Sequence, residues 1–250
     1  MKKAVSVFTT VLISGMASIF GQSGNIQFEE VRKIEIKLEG EMAQMMKDMP
    51  KEQRSEKTLY FSPEATLYQK SETKEAETSK SFAGHEGAVV FSMSSGDNKV
   101  FVDLTENKMV EQREFMTRMF LIENDLEQGE WKISGNQKMI LEYPCMEASK
   151  TDTAGVVTTV WFAPSFPVKG GPGQFCTLPG MVLEVTIGDA KQQYIAKVID
   201  MTPPDKELFK RPKEGKKVTR EEFDKTVAEK MEEMGGESSG GNVMMIRIKR

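Results

Sequence analysis

Met42, Met45, Met46 and Met49 recur at a spacing that sets all four on one face of a helix. Thioethers are soft ligands suited to Cu(I), and they can hold it in an oxidising compartment where thiols are unsafe. The same spacing is also the apolar stripe of an amphipathic helix packed on a sheet. Both readings stay open at this level. The chain has two cysteines, Cys145 and Cys176. A bridge between them would close a loop of about 30 residues and contribute roughly 3–4 kcal/mol. Two buried, unpaired thiols are the alternative. The single histidine, His85, sits between glycines in Gly84-His85-Glu86-Gly87 and reads as a turn residue. Ser71-Glu72-Thr73-Lys74 has a Ser-x-x-Lys spacing but lacks the companion motifs that would make it a nucleophile. The chain contains no His-Glu-x-x-His, no Gly-x-Ser-x-Gly and no phosphate loop. Its carboxylates are dispersed among lysines and arginines, so no acid–base pair can be nominated. The expectation is a protein that is not an enzyme and carries no cofactor.

The start of the chain supplies an address. Met1-Lys2-Lys3 precedes an apolar run to Phe20 that is interrupted only by small residues. This is the layout of a Sec signal peptide, with cleavage expected after Gly21, so residues 1–21 read as a leader and 22–250 as the mature chain. No cysteine follows the run, so no lipoprotein is expected. No later stretch is long and apolar enough to span a membrane. The reading is a periplasmic or envelope-associated protein. With 34 basic and 38 acidic residues the net charge is −4, which leaves no electrostatic footprint for nucleic acid.

The elements that must position any site are strands. Ile34, Ile36 and Leu38 alternate with charged residues; so do Val100, Val102 and Leu104, and then Met181, Leu183, Val185 and Ile187. Met244, Ile246 and Ile248 repeat the pattern near the end. Ser95-Gly96-Asp97-Asn98, Glu106-Asn107, Gln128-Gly129, Gly135-Asn136 and Gly188-Asp189 read as turns too short for parallel crossovers. The fold class is therefore mainly β: an antiparallel meander forming a curved sheet or partly open barrel, with one or two short helices. A helix is expected over 41–48, ended by Pro50. A second is expected from the capping box Thr219-Arg220-Glu221-Glu222 to about Met234. Residues 203–241 read as a flexible, partly helical excursion from a single domain, before a final strand.

Several segments together resemble the GLPGLI family of exported bacterial proteins. The naming signature corresponds to Thr177-Leu178-Pro179-Gly180-Met181-Val182, preceded by Pro172 and followed by Leu183-Glu184-Val185. Tyr60 to Tyr68, Phe120-Leu121-Ile122-Glu123-Asn124, Trp131-Lys132-Ile133, Lys138 to Ala148 and Trp161 to Pro167 resemble further family elements in the right order. Thr177 stands where the family has glycine, which questions a positive φ at that turn. Cys176 looks like a local addition and strengthens the case for a bridge to Cys145. The resemblance implies a partly open barrel, similar to periplasmic lipoprotein carriers of the LolA type, and it implies no catalytic residues.

The leading functional expectation is an exported binding or carrier protein that takes an apolar ligand or lipid in the concave face of the sheet. An envelope scaffold is the alternative, docking a partner through an edge strand or the C-terminal excursion. Cu(I) binding by the methionine stripe comes third. The proline- and glycine-dense loop reads either as a barrel corner or as a stiff lip to a binding opening.

Overall fold

Alternating sequence becomes strand along nearly the whole chain. The structure is a computed structural model and describes residues 23–33, 51–71, 98–126, 129–233, 236–239 and 243–246. Strands β1 (Gly24–Lys33), β2 (Glu52–Phe61), β3 (Ala65–Lys70), β4 (Lys99–Asp103), β5 (Lys108–Phe115) and β6 (Arg118–Asp125) form one antiparallel meander. A second contains β7 (Lys132–Ile140), β8 (Tyr143–Thr151), β9 (Val157–Ala163), β10 (Met181–Ile187) and β11 (Gln192–Asp200). Pairing of β1 with β11 joins the two meanders, and the short β12 (Lys216–Val218) adds in parallel to β6. The result is a 12-stranded sheet in the order β12-β6-β5-β4-β3-β2-β1-β11-β10-β9-β8-β7.

Connectivity requires this sheet to curl. Strands β6 and β7 stand ten strand spacings apart, about 48 Å in a flat sheet. They are joined by residues 126–131 alone, which reach about 25 Å when extended. The two ends must therefore approach each other without pairing. This is the curved, open sheet expected from the alternation.

One core cluster draws Ile26, Phe28, Leu59, Phe61 and Val102 together with Cys145, Ala163, Met181 and Leu183. Phe166, from the loop after β9, enters this core and packs edge-on against Phe61 at 5.3 Å between ring centres. A second cluster sets Phe175 and Leu178 of the same loop against Phe162, Val182 and Val185. Alternation fails on β10, where Met181, Val182, Leu183 and Val185 are all buried. A bulge between Val182 and Glu184 breaks the register there, and the loop covers what would otherwise be the wet side.

The capping box forms as expected. Helix α1 (Arg220–Glu233) begins after Thr219, whose hydroxyl accepts from the Glu222 amide at 3.1 Å. The Glu222 carboxylate in turn accepts from the Thr219 amide at 3.0 Å. Phe223 seats the helix on Phe120 and Ile122 of β6. This part of the 203–241 excursion is therefore folded onto the sheet. Beyond it, β13 (Gly236–Ser239) and β14 (Val243–Ile246) pair as a separate hairpin. The helix expected over 41–48 and the strand expected over 34–38 lie outside the described residues. Among the described residues no helix is long and apolar enough to cross a membrane.

Two turns differ from the sequence reading. Gly135-Asn136 is a bulge inside β7, not a turn: Ile133 pairs with Ala148 but the next pair is Gln137 with Met146. The β7–β8 turn instead holds Leu141 and Glu142, with φ of 45° and 68°. Met116 and Thr117, at 49° and 63°, make the β5–β6 turn. Flanking strands impose these left-handed conformations on residues that carry no turn signal. Asn107 and Gly188-Asp189 lie at turns as expected, with positive φ.

Candidate functional site

The signature loop, residues 164–180, is held from both sides. The Val182 amide donates to the Gly170 carbonyl at 2.8 Å, and the Gly170 amide donates to the Gly180 carbonyl at 3.2 Å. Gly180 has φ of 152°, and a Cβ there would lie 2.3 Å from the Ala163 carbonyl oxygen. Only glycine fits such a position. Thr177 needs no glycine, because its φ is not positive. Its hydroxyl instead accepts from the Trp131 indole N–H at 3.2 Å, which ties the loop to the start of β7. Val168, Pro172, Phe175, Leu178, Gly180, Met181 and Val182 are buried, while Pro179 is exposed. This arrangement is a packed corner.

Cys145 and Cys176 both lie buried in the first core cluster as free thiols, the second of the two readings left open by the sequence. Burial pushes each thiol up to about 11, so both stay protonated and unreactive near neutrality. The methionine stripe Met42, Met45, Met46 and Met49 lies outside the described residues, as do His85 and the leader 1–21. Among the described residues no three His, Cys, Asp or Glu side chains gather where a metal could be held.

A polar cluster that the sequence did not disclose lies next to the apolar core. Glu30 follows Ile26 and Phe28 on the same face of β1, and its neighbour across the ladder is Tyr194 of β11. Glu30 is buried and accepts from the Tyr68 hydroxyl at 2.8 Å. Lys57 stands 3.6 Å and Arg32 3.7 Å from its carboxylate. A second buried carboxylate, Glu111 of β5, is bound by Arg113 at 2.9 Å and by Arg220 at the start of α1. The Tyr194 hydroxyl accepts from the Gln192 side-chain amide at 2.5 Å. Burial, then the Glu30 charge, pushes the Tyr68 and Tyr194 phenols upward, so both remain hydrogen-bond donors at any ordinary pH. Burial lowers Lys57; Glu30 opposes that fall, while Arg32 and Arg113 add to it. In the sequence these charges look like any others. Only their parity with Ile26, Phe28, Leu59 and Met109 could have signalled burial.

The two sheet edges differ. β12 is three residues long and is anchored by Arg211 and Lys217 near Glu123. β7 is nine residues long and mostly exposed, with Ile133 52% and Met139 64% accessible. Its bulge is pinned by Glu147, which accepts from Ser134 at 2.6 Å and Asn136 at 2.7 Å. Those two bonds, Ser134 first, hold the Glu147 carboxyl below its usual range. Lys138 turns inward to Glu184 at 2.8 Å and lies 4.3 Å over the Trp161 ring. A polar depression of about 220 Å³ by β5 and β6 is lined by Lys108, Glu123, Asp125 and Arg211. It lacks the apolar lining that a lipid tail would need.

No family model and no curated protein matches the chain. Among solved structures, PNGF-II in its C2 and P21 crystal forms is similar, with TM-scores of 0.54 and 0.53 at 15% and 14% identity. The alignment to the C2 form covers 82% of this chain and 32% of PNGF-II, so the chain spans about a third of that protein's length. An uncharacterized conserved protein from Thermus thermophilus aligns over 81% of this chain and 93% of its own, at 7% identity and a TM-score of 0.40. The likeness to PNGF-II is one of fold alone.

Proposed function

We propose that this chain is an exported, non-enzymatic envelope protein of the GLPGLI kind that docks a partner by adding an extended segment to β7. The observation that carries the reading is the edge itself. Among the described residues, this nine-residue strand has no partner on its outer side, and it exposes Ile133 and Met139 on either side of the bulge. Natural sheets usually blunt such an edge along its length; here the bulge at Ser134–Asn136 and the inward-turned Lys138 blunt it, while Ile133 and Met139 stay exposed. The four residues after the bulge, Gln137 to Ile140, remain regularly paired to β8 and form a straight template for another strand. The partner chemistry that fits is an extended peptide with apolar side chains at alternate positions.

This reading has more support than an apolar carrier. The large apolar side chains of the inner face, Ile26, Phe28, Leu59, Phe61 and Leu183, are each at most 1% exposed and lie in one cluster with Phe166. The other candidate dock, the C-terminal excursion, uses Phe223 and Arg220 to bind its own sheet. The test is site-specific photo-crosslinking in the source bacterium from a probe placed at Met139. One discrete adduct is expected, and Ile133→Lys on the same edge should abolish it with unchanged circular dichroism. An adduct that survives Ile133→Lys, or that forms equally from a probe at Lys217 on the far edge, sinks the docking assignment.

A further inference from the structure

We propose that the polar cluster on the inner face is a binding site for a compact oxyanion of the phosphate class, a property separate from docking at β7. Glu30 and Glu111 together face four cations: Arg32, Lys57, Arg113 and Arg220. Asp224 also lies 4.0 Å from Arg220, so one positive charge is left over in a cluster whose carboxylates and Lys57 are buried and whose arginines are partly exposed. A charge held partly out of water is unfavourable unless a counter-charge joins it.

Geometry identifies where that group would sit. Glu111 is satisfied, since Arg113 and Arg220 occupy both of its oxygens. The unmet donors lie on the other side. Lys57 is 8% exposed, and its nearest carboxylate oxygen is 3.6 Å away, beyond hydrogen-bond distance. The Nε of Arg32 is buried with no hydrogen-bond partner among the described residues. Native proteins rarely leave such a donor unmet, and a site for an ion is one of the standard explanations. Tyr194, across the ladder from Glu30, is close enough to Arg32 and Arg113 for both to act on its phenol. A planar guanidinium, an ammonium and a phenol, brought beside Glu30 by three strands, are the donor types that tetrahedral oxyanions take. Arg32 and Arg113 are about a third and a quarter exposed, so the anion can reach the cluster from their side.

The test titrates the full chain with inorganic phosphate, and separately with glycerol phosphate, against chloride at equal ionic strength. Melting temperature and ³¹P line width are the readouts. Wild type should gain melting temperature with phosphate but not with chloride, and Lys57→Met should weaken phosphate binding at least tenfold. Arg32→Gln, at the exposed rim, is the second variant and should weaken it similarly if Lys57→Met fails to fold. Tighter binding of glycerol phosphate supports the site and identifies an organic phosphate head as its source; tighter binding of inorganic phosphate supports it with the free ion. A wild-type response equal to that in chloride, or equal affinities in wild type and both variants, overturns the proposal.

Discussion

Replacing Gly180 with alanine tests the claim that the signature loop is a sterically fixed corner. At this position φ is 152°, a region that costs a residue with a Cβ roughly 1–3 kcal/mol. The added methyl would also lie 2.3 Å from the Ala163 oxygen, 2.7 Å from its carbonyl carbon and 2.9 Å from the Pro164 Cα. All three are main-chain atoms, so relief requires the corner itself to move. That movement strains the bonds of Gly180 to Leu178 and of Gly170 to Gly180, at 2.9 and 3.2 Å, each worth about 1 kcal/mol. The total loss is about 3–5 kcal/mol, or roughly 10 °C in a domain of this size. Gly173 is the control. Its φ is also positive, at 59°, but nothing lies within 4 Å of an added Cβ. Gly173→Ala should cost about 1 kcal/mol, or a drop of about 2–4 °C. Thermal melts followed by circular dichroism compare the two variants directly. If Gly180→Ala melts within about 2 °C of Gly173→Ala, backbone crowding is not what fixes the loop.

Two other predictions rest on backbone and burial. Changing Leu141-Glu142 to Asn-Gly supplies the residues that prefer two successive left-handed conformations, and it should stabilise the β7–β8 hairpin by about 1–2 kcal/mol. An unchanged or lower melting temperature would show that the turn is not strained. Cys145 and Cys176, each pushed up to about 11 by burial, should resist a thiol reagent at pH 8 in the native protein and react fully in denaturant. Because the folded pKa lies above the unfolded one, stability from keeping these thiols neutral is full below about pH 8.5 and declines as pH rises toward 11. The alanine double variant should lose less stability over that window, and rapid labelling of native protein at pH 8 would contradict the burial.

Strand content, the antiparallel order and the cap of α1 were legible because each rests on local spacing. Thr219 and Glu222 satisfy each other's amides in any context where the helix forms. The turns at Met116-Thr117 and Leu141-Glu142 were not legible, since neighbouring strands rather than residue preference hold them at positive φ. Gly135-Asn136 misled for the opposite reason: its composition suits a turn, but Glu147 across the ladder pins it as a bulge.

The amino-acid order alone determined that the chain is built of alternating strands and where α1 starts. These are properties of a period of two and of side chains reaching three residues along the chain. Tertiary structure decided that β6 and β7 approach without pairing, that β7 is the long outer strand among the described residues, and that four cations converge on two buried carboxylates. Each of these joins residues far apart in sequence, as Arg220 and Glu111 show. A lysine or arginine looks the same in the sequence whether it faces water or the core, and only the curl of the sheet separates the two.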